Sequence, residues 1–161
     1  ISAYVSSVKG KDEDFTIAGN TFNIAKMDAG DFDVMFRSVL SCYEFPNANT
    51  FKHTFSVNGQ DAELLVPITV EGNKVTIEMT AVASVLRNVE MYMFQDADNS
   101  QLHIYMPTSS FINYFANLEF TTLLTEGKID PTDTSAIEKV FADMESRIES
   151  INVSFIFKAA K

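Results

Sequence analysis

The first 105 positions of the chain alternate apolar and polar residues in short runs that are rich in Val, Ile, Phe, Tyr and Thr. Glycine, asparagine and aspartate separate these runs, so the pattern predicts half-buried strands joined by tight turns. The spacing favours an antiparallel barrel or sandwich. The predicted strands are 3–9, 14–18, 21–26, 33–44, 50–57, 61–70, 75–82, 88–94 and 101–106.

The turn Gly72-Asn73 fixes the pairing of the strands on either side of it, because a two-residue turn decides which residues face each other. Val70 then opposes Val75, and Ile68 opposes Ile77. One face of this hairpin carries the apolar side chains and the other carries the polar ones. The apolar set is Ile68, Val70, Val75, Ile77 and Met79.

The preceding turn, Asn58-Gly59, places His53 opposite Leu64. Both turns put the same side of strand 61–70 inward, and this agreement predicts a β-meander. Pro67 lacks the N–H that the next strand would accept, so we expect a bulge or a local break at that residue.

A further hairpin is predicted near the start of the chain, with Gly19-Asn20 as its turn. This turn places Ile17 opposite Phe22 and Phe15 opposite Ile24. The four apolar side chains then share one face of the hairpin.

After residue 106 the apolar period changes from two to about 3.6, which predicts helices. The segment 109–118 has helical spacing. The clearest helix is 135–150, which Ser135 and Glu138 begin as a capping box. A final strand at 151–158 follows it directly.

These elements predict one mainly-β domain that spans residues 1–161. Its core is an antiparallel meander that forms a barrel or a strongly curved sheet. One or two helices lie near the C-terminus, followed by the last strand.

Composition and charge limit the classes of partner that the chain is expected to bind. The net charge is −10, with 12 basic residues scattered among 22 acidic ones, so the chain lacks the basic footprint of nucleic-acid binding. It has no apolar run of about 18 residues, so we expect no transmembrane segment.

A single cysteine, Cys42, excludes an internal disulfide. Because the chain starts at Ile1, we expect a processed protein whose signal segment has been removed.

The sequence contains no phosphate-binding loop, nucleophile elbow or zinc-protease motif. We therefore expect no catalytic residue, no bound metal and no cofactor. His53 and His103 fall on opposite faces of their strands, so no spacing links them as a metal pair. The segment 96–101 lacks the glycine and glutamate of a calcium loop, and we predict a hairpin turn stabilised by Asx hydrogen bonds.

Seven methionines and 14 phenylalanines are compatible with an adaptable apolar cavity and equally with an irregular core. Side chains on the inward faces of the strands are the candidates for lining such a cavity. They are His53, Phe55, Leu64, Ile77, Met79, Met91 and Met93.

The order of the hairpins at 15–24 and 51–81, the helix at 135–150 and the strand "INVSFIFK" resembles the lipocalin (calycin) plan. It is also similar to lipocalin-like domains of unknown function in cell-envelope lipoproteins of Bacteroidetes. The resemblance implies a secreted, periplasmic or cell-surface domain with an apolar pocket.

Two functions are compatible with these features. The first is a binding domain for a small apolar or amphipathic ligand, without catalysis. The alternative is a structural or interaction module of the cell envelope that presents an acidic surface and an open sheet edge to a protein or glycan partner, or an open barrel of the lipoprotein-carrier kind. An enzyme is disfavoured, because few nucleophiles or bases are available.

Overall fold

The computed structural model describes residues 2–17, 19–40, 43–57 and 60–158. Short 3-10 turns at 24–26 and 79–81 lie between the longer elements. The elements in chain order are β1 (Ser2–Gly10), β2 (Phe15–Ile17), β3 (Asn20–Phe22), α1 (Ala29–Leu40), β4 (Tyr43–Asn47), β5 (Thr50–Val57), β6 (Gln60–Glu71), β7 (Lys74–Ile77), β8 (Val89–Gln95), β9 (Gln101–Met106), α2 (Thr108–Thr125), α3 (Thr134–Arg147) and β10 (Ile148–Lys158).

Eight strands form one antiparallel sheet in the order β1-β10-β9-β8-β7-β6-β5-β4, and β2 and β3 form a separate hairpin. The predicted mainly-β meander, with helices before a last strand, is confirmed. The barrel or strongly curved sheet is wrong: β1 and β4 lie at opposite ends of the order and do not pair within the described chain. A closed barrel would require β1 and β4 to pair with each other. Both strands are irregular, because the register of β1 shifts and β4 is short and contains Pro46.

The two central hairpins have the predicted registers. Val70 pairs with Val75, and His53 pairs with Leu64. Gly72 has a φ of 61°, the left-handed conformation that its turn requires. The predicted turn residues 58 and 59 lie outside the described part of the chain, although the strands that flank them pair as expected.

The predicted break at Pro67 is also present. The pairing of β6 with β7 begins at Glu71 and Lys74 and stops at Ile68 and Ile77. Beyond that point β6 pairs only with β5, so β4, β5 and the first half of β6 project from the main sheet. We call this three-stranded part the wing.

The β2–β3 hairpin differs from the predicted register by two residues. Phe15 pairs with Phe22, whereas the prediction paired it with Ile24. Gly19, with a φ of 79°, directly precedes β3, so it cannot be the first of two central turn residues as predicted. Because the shift is two residues, each side chain keeps its face, and Phe15 is buried as expected. Ala18 lies outside the described residues.

The strand predicted at 33–44 is wrong, because α1 occupies most of that segment. The Asp28 carboxylate accepts hydrogen bonds of 2.7 and 3.1 Å from backbone N–H groups of the first turn, which caps the helix. Phe32 is fully buried with its ring centroid 5.7 Å from that of Phe111. Capping and burial therefore outweigh the strand propensity of the β-branched and aromatic residues here. Residues 41 and 42 of the predicted strand, including Cys42, are outside the described chain.

The helix predicted at 109–118 extends to Thr125 as α2. The hydroxyl groups of Thr121, Thr122 and Thr125 each donate a 2.8 Å hydrogen bond to the carbonyl four residues earlier. These bonds satisfy the hydroxyl groups within the helix, so the threonines do not end it.

The predicted helix 135–150 is α3, which ends three residues earlier, where β10 begins. Its cap is Asp133, whose side chain accepts a 3.0 Å hydrogen bond from Ala136, and not Ser135 as predicted. The apolar residues that helical spacing places on one face of the segment 135–150 are all buried. They are Ile137, Val140, Phe141, Met144 and Ile148.

The core lies on one side of the sheet. The helix α2 packs against β8 and β10, and α3 packs against α2 and β10. The strand residues that face these helices are almost fully buried. They are Val89, Met91, Ile104, Met106, Ile151, Val153 and Phe155. The opposite side of these strands carries the side chains at the alternate positions, and we call it the outer face.

Candidate functional site

Five of the seven residues predicted to line a cavity lie in or beside the hydrophobic core. Ile77 and Met91 are buried, and Leu64, Met79 and Met93 are partly buried against the same cluster. His53 is half-buried on the wing, and the side chain of Phe55 lies outside what the structure describes. Leu64, Ile77, Met91 and Met93 thus have the inward orientation that the strand register predicted. The role of the seven residues in ligand binding stays a prediction.

Two shallow clefts open on the surface, and neither is lined by those residues. One, of about 270 Å³, lies between the end of β1 and the junction of α3 with β10, around Gly10 and Arg147. The other, of about 250 Å³, lies between the β8–β9 turn and the end of β10, around Asn99 and Phe157. Both are lined largely by polar residues and open to solvent, unlike the concave apolar pockets that hold small ligands.

The outer face carries a row of aromatic side chains that runs across four neighbouring strands. Tyr4 of β1 lies opposite Ser154 of β10, Ser154 lies opposite Tyr105 of β9, and Tyr105 lies opposite Tyr92 of β8. We call these three tyrosines the tyrosine row. Across three strand spacings it extends about 14 Å.

The rings of the tyrosine row are exposed at Tyr4 and partly exposed at Tyr92 and Tyr105. Tyr4 is 65% exposed, and the ring centroids of Tyr92 and Tyr105 are 6.2 Å apart with an angle of 42° between the rings. The Tyr105 hydroxyl donates a 2.8 Å hydrogen bond to Oδ1 of Asn152, so this ring is held in place. Such rings present an apolar body together with a polar tip.

A second line of side chains lies beside the tyrosine row. His103 is opposite Phe94 on one side and Ile156 on the other. Phe94 is 47% exposed. His103 Nε2 lies 2.9 Å from Oδ1 of Asp96, although the angles do not meet those of a hydrogen bond. His103 is therefore on the outer face beside Tyr105.

Residues 78–88, which connect β7 to β8, are held to α2 by side-chain amides. Asn117, which is buried, accepts a 3.0 Å hydrogen bond from the N–H of Arg87 and donates one of 2.7 Å to the carbonyl of Arg87. Asn113 donates a 3.0 Å hydrogen bond to the carbonyl of Asn88. The Arg87 guanidinium lies 4.3 Å from the ring centroid of Phe141. These contacts are structural, since they satisfy buried polar groups.

A charged cluster joins α2, α3 and the chain before β2. Burial raises the pKa of Glu119, while the charge of Arg147 acts to lower it. The Glu119 carboxylate is 3.9 Å from Arg147, which also donates a 3.2 Å hydrogen bond to Glu13. The Arg147 guanidinium lies 5.0 Å from the ring centroid of Phe15. Arg147, at the end of α3, thus contacts both α2 and the chain around β2, and these contacts have a structural role.

The structure brings together no group of three or more metal-binding side chains among the residues it describes. The segment 96–101 forms the turn between β8 and β9, as predicted. The Asp98 side chain accepts a 3.0 Å hydrogen bond from the N–H of Ser100, which is an Asx bond, and Asn99 has a φ of 57°.

Comparisons with protein-family models, curated proteins and solved structures found no match. The helices in the described part of the chain are each too short or too polar to cross a membrane.

Proposed function

We propose that this domain is a non-catalytic binding module and that it binds a glycan through its outer face. The observation that carries the proposal is the tyrosine row, which crosses β1, β10, β9 and β8 on the side of the sheet away from the helices. Of the two functions compatible with the sequence, this is the interaction module with a glycan partner. Its setting in the cell envelope rests on the resemblance in element order alone.

The chemistry around the row supports a sugar polymer in preference to an apolar partner. Polar side chains that can donate or accept hydrogen bonds lie between and beside the rings. They include Lys74, Glu90, Gln101, Asn152 and Ser154. Among the described side chains of β7 to β10, Ile156 is the one aliphatic group on this face. Rings that stack and polar groups that hydrogen-bond match a glycan, whose sugar units have apolar C–H faces and a rim of hydroxyl groups.

The proposal is tested by passing the purified domain over a panel of immobilised polysaccharides that includes peptidoglycan, xylan, mannan and starch. Retention by at least one of them is expected. Tyr4→Ala and Phe94→Ala should each weaken that binding about tenfold, because each removes a stacking surface.

The matched control is Phe45→Ala. Phe45 and Phe94 are the same residue type and are both 47% exposed, but Phe45 lies on the wing. The proposal predicts that the Phe45 variant binds like the unaltered protein. Equal losses in both phenylalanine variants, or no retention on any polysaccharide, would contradict it.

A further inference from the structure

The strand β6 is longer than the neighbours that pair with it. Residues 60–67 pair with β5, and residues 68–71 pair with β7. Residues 61–66 therefore have a strand on one side and none on the other within the described chain. We call this open side the β6 slot. The hydrogen bond between the Pro67 carbonyl and the N–H of Glu78 closes one end of it.

Two observed hydrogen bonds show which backbone groups point into the β6 slot. The N–H of Ile68 donates to Asn49, on the β5 side, whereas the carbonyl of Pro67 accepts from Glu78, on the β7 side. Backbone groups alternate in direction along an antiparallel strand. The N–H and C=O groups of the odd-numbered residues therefore point into the slot. They are Asp61, Glu63 and Leu65.

The side chains beside the slot alternate in chemistry as well. Asp61, Glu63 and Leu65 are exposed on one face of the strand, and Leu65 is 60% exposed. Ala62 and Leu64 are partly buried on the other face.

The charge beside the slot is negative. Lys52 is 2.9 Å from Glu44 and 3.3 Å from Glu63, so a single ammonium group serves two carboxylates. Asp61 adds a third carboxylate on the same face. Basic side chains of a partner strand would offset this excess. The same carboxylates would repel each other if the slots of two copies met.

The other free edges of the sheet are less suited to pairing. The register of β1 shifts between Val5 and Ser7, and β4 contains Pro46 together with a shift between Glu44 and Asn47. Bulges and proline are devices that block an edge. Residues 61–66 contain neither a proline nor a shift of register in their pairing with β5.

We propose that the β6 slot binds an extended peptide of a partner protein, which adds as a strand beside residues 61–66. The peptide that fits has Lys or Arg at alternate positions, next to Asp61 and Glu63, and apolar residues between them, next to Ala62 and Leu64. Backbone hydrogen bonds supply the affinity and the alternating side chains supply the specificity. This interaction is separate from glycan binding on the outer face.

The probe is a capped peptide of sequence Lys-Val-Lys-Val-Lys-Val, added to the labelled domain while amide hydrogen exchange is followed by NMR. Exchange at residues 61, 63 and 65 should slow about tenfold or more when the peptide is saturating, because their N–H groups gain acceptors. The same peptide with every second backbone nitrogen methylated keeps its charges and loses the donors that pair with the slot. Equal binding of the methylated peptide, or protection that avoids these three residues, would overturn the proposal.

The double variant Asp61→Asn, Glu63→Gln should weaken peptide binding about tenfold and reduce its dependence on salt. Glu145→Gln, an exposed carboxylate on α3, is the matched control and should bind normally. Sedimentation without peptide should show no association through the slot; a dimer that protects the same amides would overturn the peptide as the occupant. Tyr4→Ala should leave peptide binding unchanged, so failure on one surface is distinguishable from failure on the other.

Discussion

The carbonyl oxygen of Pro67 accepts a hydrogen bond of 2.9 Å from the backbone N–H of Glu78, at the point where the pairing of β6 with β7 ends. Proline has no N–H to return the bond, and the chain turns away at Met79 into a 3-10 turn. One residue thereby separates the main sheet from the wing. The tyrosine row lies on the main sheet, and the β6 slot lies on the wing.

The direction of the backbone groups in β6 predicts an alternating pattern of hydrogen exchange in the unbound protein. Amides at 62, 64 and 66 donate to β5 and should exchange slowly. Amides at 61, 63 and 65 should exchange about tenfold faster or more, because they face the slot. Native-state exchange measured residue by residue checks this pattern. Uniform protection along β6 would mean that the slot is occupied or closed.

Asn117 should be important for stability, because its buried amide satisfies both backbone groups of Arg87. Asn117→Ala leaves those groups without their partners and should lower the free energy of unfolding by about 2–4 kcal/mol. Asn113→Ala removes one hydrogen bond to Asn88 and should cost about 1 kcal/mol. Denaturant unfolding of both variants measures the difference. Equal costs would show that the Asn117 pair does not hold the 78–88 segment.

His53 should make stability fall with acidification. Burial lowers the pKa of His53 from its ordinary value of 6.5, so the unfolded chain takes up the proton first. The stability linked to this group is complete above about pH 6.5 and is lost as the pH falls through the folded-state pKa. His53→Gln should remove this part of the dependence in urea unfolding between pH 7.5 and 5. An unchanged slope in the variant would contradict burial of the ring.

Glu119 should have the opposite effect on stability. Burial raises the pKa of its carboxyl group, with Arg147 offsetting part of the increase. The folded state therefore favours the protonated form, and stability is lost as the pH rises through the raised pKa. Glu119→Gln should be more stable than the unaltered protein at pH 7, and this advantage should disappear below the ordinary pKa of 4.5. Thermal unfolding at pH 7 and pH 3.5 checks the sign, with the exposed Glu138→Gln as control. A destabilised Glu119 variant at pH 7 would show that its pairing with Arg147 outweighs burial.

The pairing of the central strands was predictable because it depends on local turn chemistry. Gly72 can adopt positive φ at no cost, so the turn fixes Val70 against Val75 without knowledge of the rest of the fold. The first hairpin differs from its predicted register by two residues, since either of two adjacent turns is compatible with its apolar pattern. The segment of α1 predicts a strand although Asp28 is a good helix cap, because a run rich in β-branched and aromatic residues also fits a strand.

The tyrosine row was not predictable from local pattern. Alternation places Tyr92 on the opposite side of its strand from Met91 and Met93, and it places Tyr105 on the same side as His103. It does not say which side of the sheet the helices cover. The contribution of Tyr4 depends on pairing between the first and last strands of the chain. Such a long-range contact leaves no mark on the local sequence.

The glycan-binding proposal is tested most directly by the aromatic ring signals of the tyrosines, in a titration with the polysaccharide that the domain retains. The chain has five tyrosines and no tryptophan, so the spectrum is simple. If the glycan binds at the outer face, the signals of Tyr4, Tyr92 and Tyr105 shift together, while that of Tyr114, on α2 beside Phe115, does not. Shifts at Tyr114 and the surrounding core, without shifts in the tyrosine row, would contradict binding at the outer face and would place the ligand between the sheet and the helices.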